Sequence, residues 1–351
     1  MASFADWLRL ARISNLPTTW TNVLVGVAVV GTGPTRDGVV VAAASVGLLY
    51  IGGMVLNDVL DAPRDADRGL DRPIPAGRIR RSTAGLVAAL LLVGGPLLAG
   101  FAAGGVAAAW AIGLAACVVA YNTLKERGAA GLLFMGACRG LILPLAASVQ
   151  RGLDPASSSN WPSHEMWLLA GLAIALAGYV QLVTLAARGE HDAPPDRADG
   201  TPAPNRKLVS RWLMPAAVVA PVFAAVATLF GAARDPAVDG ARAAGWMAAS
   251  GWGAAVIATA AAAWFVGRTT RRLRGADPST AGSAAASPTP PASIPASIMA
   301  WLAGICLIDV AVVMALAAVR GGHSGQAFWS AAAAIACFFI TRAGHRRIAG
   351  S

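Results

Sequence analysis

Ten apolar blocks dominate this chain, at about 16–33, 39–60, 83–103, 105–122, 131–149, 165–187, 211–232, 244–267, 296–319 and 325–342. Many lie near the ~20 residues that carry a helix across a bilayer. The block at 325–342 is the weakest, so nine or ten spans are expected. Charged residues make up only 13% of the chain, about half the ~25% of an ordinary soluble domain. A soluble globular enzyme, a disordered chain and a disulfide-rich secreted module are excluded. What remains is an all-α, polytopic transmembrane bundle, read as a single domain over residues 1–351.

The net charge of +10 is a topology signal rather than a nucleic-acid signal, because the arginines sit between apolar blocks. On alternate sides of the expected spans, Lys and Arg divide 22 to five, with Arg139 left inside the fifth span. That asymmetry puts the N-terminus and two acidic, arginine-containing loops, 61–82 and 188–210, on the cytoplasmic side of the cell (inner) membrane. The first 14 residues lack a long apolar run, so no cleavable signal peptide is expected. Phe4, Trp7, Leu8 and Leu10 make that stretch a candidate interfacial helix. Residues 268–293, rich in Ala, Ser and Pro toward their end, read as a flexible linker. The four cysteines all fall in apolar blocks without a CxxC pair, and the four histidines show no ligand spacing.

Chemistry concentrates at 57–81, NDVLDAPRDADRGLDRPIPAGRIRR, where the second apolar block ends. Asn57, Asp61 and Asp65 recur every fourth residue and drift only about 40° per step on a helix, forming one stripe. Asp58 lies three residues before Asp61 and joins it. Carboxylates packed this way repel and are costly beside hydrocarbon unless neutralised. A hard cation such as Mg²⁺ answers both problems, taking one or two carboxylates plus water and phosphate oxygens. Arg64, Arg68, Arg72, Arg78, Arg80 and Arg81 are candidates to hold those phosphates through the guanidinium fork. The plain alternative is a solvated loop whose charges pair with one another. Pro63 is expected to kink or end the helix near Ala62.

The run Asn57-Asp58-x-x-Asp61-x-x-x-Asp65 resembles the NDxxDxxxD signature of the UbiA superfamily of intramembrane prenyltransferases, and Arg72-Pro73-Ile74-Pro75-x-Gly77 resembles its RPxPxG segment. Tyr121-x-x-x-Lys125 and Gly136-Ala137-x-x-Gly140 also resemble the family pattern, and the likeness covers roughly residues 10–320. The resemblance implies about nine transmembrane helices around a central cavity. It also implies two aspartate-rich loops that bind Mg²⁺ and the diphosphate of a polyprenyl donor, and an allylic carbocation captured by a small aromatic or cyclic acceptor. By that likeness Asn57, Asp58, Asp61 and Asp65 carry metal and diphosphate. Arg64, Arg72, Arg78, Lys125 and Arg188 hold phosphate oxygens, and Tyr121 and Tyr179 steady the cation or acceptor.

The family's second motif, YDxxYxxxDxxxD, meets a different sequence here, GYVQLVTLAARGEHDAPPDRADG over 178–200. Tyr179 matches, but Val180, Ala187 and His191 stand where aspartates are expected. Two readings stay open. Glu190, Asp192 and Asp196 re-create a second metal site in another backbone geometry, or that site is lost. The RGE ending and the N-terminal RISNLPTTWTNVLVG most resemble the EboC-type subgroup. The expected function is Mg²⁺-dependent prenyl transfer. Its alternative is a catalytically degenerate relative that binds or helps export a hydrophobic metabolite.

Two charges lie deep in apolar blocks, Arg139 and Asp309. Arg139 either contacts substrate phosphate or acceptor, or pairs with Asp309 or a helix-end carbonyl. Asn22 is a weaker substrate-binding candidate with interhelical hydrogen bonding as the default role.

Overall fold

The structure, a computed structural model, describes residues 3–30, 35–155, 161–191, 264, 294–319 and 324–347. Its regular elements are helices: α1 (Phe4–Leu10), a 3-10 turn (Ile13–Asn15), α2 (Leu16–Val29), α3 (Arg36–Asp67), α4 (Arg81–Ala103), α5 (Gly105–Leu124), α6 (Ala129–Gly140), α7 (Ile142–Leu153), α8 (Ser163–His191), α9 (Ile294–Val319) and α10 (Ser324–Arg347). Among the described residues five helical stretches are long and apolar enough to cross a membrane: Arg36–Asp67, Arg81–Ala103, Gly105–Leu124, Ala129–Leu153 and Ser163–Leu185. The expected spans at 211–232 and 244–267 and the linker at 268–293 lie outside the described residues, apart from Trp264.

Helix α2 is the centre of the bundle. From Leu16 to Val29 every residue but Trp20 is buried, the polar Thr18, Thr19, Thr21 and Asn22 included. It packs on α3, α7, α9 and α10. Helix α4 packs on α3 and turns into α5 through Gly104 of the Gly104-Gly105 step, whose φ of 88° suits a residue without Cβ. Close approach between α3 and α4 is set at Gly95, where an added Cβ would stand 2.6 Å from Leu49 Cγ and 3.1 Å from the Ser45 carbonyl oxygen. Ser45 Oγ donates to the Gly95 carbonyl oxygen at 2.9 Å across the same contact. Gly95→Ala is therefore expected to destabilise the bundle by about 1–3 kcal/mol through overpacking, read as a lower thermal midpoint in detergent.

Two helix limits differ from the sequence expectation, each for a reason that involves proline. Helix α3 does not stop near Ala62; it runs through Pro63 to Asp67. Proline removes the amide that would have bonded the Val59 carbonyl, and Arg81 Nε takes that oxygen from the start of α4 at 2.9 Å. The lost bond is replaced from a neighbouring helix, and Asp65 stays on the helical stripe. The fifth apolar block is divided at Leu141 into α6 and α7. Pro144 leaves the Gly140 carbonyl without its donor four residues on, and its ring crowds that oxygen.

The N-terminal helix forms as expected. Ser3 and Asp6 make a reciprocal capping box, Asp6 N–H to Ser3 Oγ at 3.2 Å and Ser3 N–H to Asp6 Oδ2 at 3.0 Å. Leu10 then enters a small apolar cluster with Val55, Ala62, Ile74, Ile79, Ala84 and Ala88. Arg12 adopts the left-handed conformation (φ 44°) and turns the chain into α2.

Candidate active site

Asn57, Asp58 and Asp65 are buried on the last three turns of α3, and Asp61 is half-buried between them. Each carboxylate meets its own cation. Lys125 Nζ donates to both Asp61 oxygens at 2.6 Å and to Asn57 Oδ1 at 2.8 Å. Arg72 Nη1 donates to Asp65 Oδ2 at 2.8 Å and stands 3.8 Å from Asp58 Oδ1. Arg12 Nη2 reaches Asp58 Oδ1 at 3.4 Å. The Asn57 amide nitrogen closes the row, donating to Asp61 Oδ2 at 3.0 Å and Asp58 Oδ1 at 3.3 Å. Three positive side chains from three separate segments thus cover one acidic stripe.

Helix register explains why Lys125 arrives there. Asn122, buried on α5, donates from Nδ2 to the Gly53 carbonyl at 3.3 Å, and Val118 lies against the bare Gly53 surface. Residues 53, 57 and 61 share one face of α3, as do 118, 122 and 125 on α5. Locking 122 to 53 therefore sets 125 against 57 and 61. The Arg72 guanidinium comes from the turn after α3, where buried Pro73 and Ile74 anchor the loop and Gly77 turns it with φ 70°.

The rim of the stripe is tied by other pairs. Arg64 pairs with Glu126 on the exposed side. Arg78 donates from Nε to Asp6 Oδ1 at 3.1 Å and from Nη1 to Asp71 Oδ1 at 2.6 Å, fastening α1 to the loop. The Ser3 amide and hydroxyl, with Arg78 beside them, hold the Asp6 carboxyl below the usual carboxylate range.

Deeper in the bundle a second polar group forms across three helices. Arg139 of α6 donates from Nη1 to Asn22 Oδ1 at 3.2 Å and from Nη2 to Thr18 Oγ1 at 3.0 Å. The Asn22 amide nitrogen donates in turn to Asp309 Oδ2 of α9 at 2.7 Å. Asp309 and the buried Tyr179 of α8 lie in the wall of a cavity of about 30 Å³, otherwise apolar, formed with Val25, Leu143, Leu176 and Ile305.

Residues 17–287 match the UbiA prenyltransferase family. The chain belongs to that family. A digeranylgeranylglyceryl phosphate synthase from Ignicoccus hospitalis is 35% identical to this UbiA family member over 128 residues, 36% of this chain and 41% of that protein. The enzyme of the same name from Methanoculleus marisnigri is 36% identical over 97 residues, 28% of this chain and 34% of that protein. The chain therefore spans well under half the length of the curated relatives it matches. In fold the likeness is wider. A solved structure from a study of digeranylgeranylglyceryl phosphate synthase in membranes superposes with a TM-score of 0.53, covering 90% of this chain and 98% of the other at 14% identity. The apo structure of a UbiA homologue from Aeropyrum pernix K1 gives a TM-score of 0.54, with 86% and 96% coverage at 18% identity. These place the chain in the UbiA fold.

In this UbiA family member the structure brings Asn57, Asp58, Asp61, Asp65, Arg72 and Lys125 together at one end of α3, and sets Arg64 and Arg78 at its rim. Tyr121 is half-buried one turn before Lys125, while Tyr179 belongs to the deeper cavity. Arg188 and Glu190 fall in the last turn of α8 with side chains outside the described part, and Asp192 lies outside the described residues. Arg139 and Asp309 are linked through the Asn22 amide, which accepts from Arg139 and donates to Asp309. Arg12 was reached by no motif: it lies 46 residues from Asp58 in sequence, and only the fold juxtaposes them.

The donors on the stripe are oxygens alone, which suits a hard cation. Among the described residues no three acidic, His or Cys groups converge as a ready-made cage. Asn57, Asp58, Asp61 and Asp65 are the residues of the stripe that could hold such a cation.

Proposed function

We propose that this chain is an intramembrane prenyltransferase that moves a polyprenyl group from its diphosphate to a small aromatic or cyclic acceptor with Mg²⁺ as cofactor. The stripe faces the cytoplasmic side of the cell (inner) membrane, as the 22-to-five division of basic residues supports. The observation that carries the reading is the acidic stripe of α3 lying under Lys125, Arg72 and Arg12 at the end of an apolar bundle.

Asn57, Asp58, Asp61 and Asp65 supply the oxygens for the metal, which when bound would stabilise charge on the departing diphosphate. Lys125, Arg72 and Arg12 exchange carboxylate oxygens for phosphate oxygens as the donor enters, so positive charge is already in place where negative charge develops. Arg64 and Arg78 hold the rim, and Arg188, Glu190 and Asp192 are assigned to a second phosphate and metal position. The apolar helices below receive the isoprenoid chain and keep water from the allylic carbon. The curated relatives are named for a product bearing geranylgeranyl groups on glyceryl phosphate, which makes geranylgeranyl diphosphate the donor to try first.

The test is thermal stabilisation of the purified protein. Mg²⁺ and geranylgeranyl diphosphate together, at about 100 times the dissociation constant, are expected to raise the midpoint by about 5 °C, from ~2.7 kcal/mol of linkage. Either alone is expected to do much less. A second reading draws on Val180 and Ala187 in the altered second motif: a degenerate family member that binds or helps export a hydrophobic metabolite. No shift with the pair, together with a shift for an aromatic metabolite alone, would select it.

A further inference from the structure

Arg12 differs from the other two cations over the stripe. Lys125 and Arg72 hold their carboxylates at 2.6 and 2.8 Å, whereas Arg12 Nη2 reaches Asp58 only at 3.4 Å. Its Nε is buried and meets no acceptor among the described residues. A guanidinium so lightly held at its tip takes its place from its own backbone, and that backbone is unusual. Arg12 alone of the described non-glycine residues has a positive φ, 44°. An L-residue persists there only where its surroundings over-determine it, and such outliers cluster at functional sites.

Those surroundings come from both ends of the chain. The Arg12 carbonyl oxygen accepts twice, from the Asn15 amide at 3.0 Å and from the Tyr50 hydroxyl of α3 at 3.1 Å. Asn15 is met in turn by the last turn of α10, where His345 Nε2 stands 2.6 Å from Asn15 Oδ1. An amide oxygen only accepts, so the imidazole donates from Nε2. Its Nδ1 is buried without a partner among the described residues. A proton there would be an orphaned donor, so the neutral ring is the one that fits. One residue earlier, a Cβ on Gly344 would stand 2.9 Å from Ser14 Cβ and 3.3 Å from Ser14 Cα. The α10 backbone is thereby seated on the 3-10 turn, with no room for a side chain between them. Arg12, Asn15 and His345 all lie outside residues 17–287, the stretch that matches the family.

We infer that His345 is a positioning residue for prenyl transfer, clamping the turn at Arg12 through Asn15 so that the Arg12 guanidinium stays at the diphosphate site. The inference deepens the prenyl-transfer reading above and rests on it for what Arg12 does. The long contact to Asp58 and the unused Nε leave Arg12 with donors for oxygens of the departing diphosphate. Donors fixed in place beforehand stabilise that anion without reorganising as its charge develops. A guanidinium free to wander loses that advantage, since a small misplacement is costly in rate. His345 acts through the turn, not on the substrate.

The experiment uses the full chain in lipid nanodiscs as wild type, Arg12→Ala, His345→Leu, His345→Gln and the Arg12→Ala/His345→Leu double variant. Hydrogen exchange, followed by mass spectrometry without donor, is expected to quicken about tenfold at the amides of residues 12–15 in His345→Leu. His345→Gln keeps an N–H where Nε2 stood and should exchange like wild type. With Mg²⁺ and geranylgeranyl diphosphate, Arg12→Ala should lower kcat/KM for the donor by about 100-fold. His345→Leu should lower it by about tenfold, and His345→Gln should recover most of that loss. The double variant should be no worse than Arg12→Ala, because the clamp then has no guanidinium to position. A merely structural histidine would multiply the two losses instead. Multiplied losses, wild-type exchange at the turn in His345→Leu, or a His345→Gln protein as impaired as His345→Leu would overturn the inference. Should His345→Leu fail to fold, Asn15→Ala removes the same hydrogen bond from its other side and carries the same expectations. The midpoint shift with Mg²⁺ and donor is read separately in the wild type. Its absence sinks the prenyl-transfer reading, while exchange at the turn still decides whether the clamp exists. Its presence beside a failed cycle sinks only the role of His345.

Discussion

Asp61→Asn is expected to reduce prenyl transfer by about 10³-fold while leaving a folded protein in the membrane. Asp61 is the carboxylate that Lys125 holds through both oxygens at 2.6 Å, and it is half-buried where Asp58 and Asp65 are buried. It is therefore the member of the stripe best able to turn from an internal cation to an incoming one. The amide keeps the shape but removes the charge, and losing one preorganised electrostatic partner of a departing anion costs ~10²–10³ in rate. Loss of a metal contact adds to that. The fold tolerates the change because Lys125 keeps Asn57 Oδ1 at 2.8 Å. Transfer is to be followed as radiolabelled isoprenoid entering an acceptor pool, with size-exclusion profile and thermal midpoint as the fold control. Wild-type turnover in this variant would remove the stripe from the mechanism.

How far the sequence could be read depends on how local the determining interaction is. Span positions follow from hydropathy, a property of each segment taken alone, so α3, α4, α5 and α8 lie where the apolar blocks do. The stripe was legible for the same reason: Asn57, Asp61 and Asp65 are related by helix period, with no other element needed. What lies beyond Pro63 was not, because helix continuation there depends on Arg81 supplying a donor to Val59 from the next helix. The break at Leu141 had a local sign in Pro144, overshadowed by the continuous apolar run around it. Arg12 and the Asn122–Gly53 contact belong to the third class, in which partners 46 and 69 residues apart meet only in the folded bundle. For Arg139 and Asp309 burial marked both residues, but the bridging amide of Asn22 could be chosen only from geometry.

Lys125→Met is expected to separate two quantities that usually move together. The lysine ammonium occupies the same Asp61 and Asn57 oxygens that a divalent ion would take. In the absence of donor, cation and lysine compete, and a positive charge a few ångströms from the metal position lowers its affinity. Removing that charge should raise Mg²⁺ affinity of the donor-free protein by about tenfold, since ~1.4 kcal/mol is a modest value for such a pair near a protein surface. With donor bound the sign reverses. The diphosphate carries the negative charge that Lys125 would then face, so its loss weakens donor binding and leaves the departing anion less compensated. Turnover is expected to fall about 100-fold. Titration calorimetry with Mg²⁺ alone checks the first half, and transfer kinetics the second. A purely structural ion pair predicts another result: lower stability, no gain in Mg²⁺ affinity, and a rate loss that follows the fraction unfolded. The opposite movement of metal affinity and rate is what assigns Lys125 to the diphosphate rather than to the scaffold.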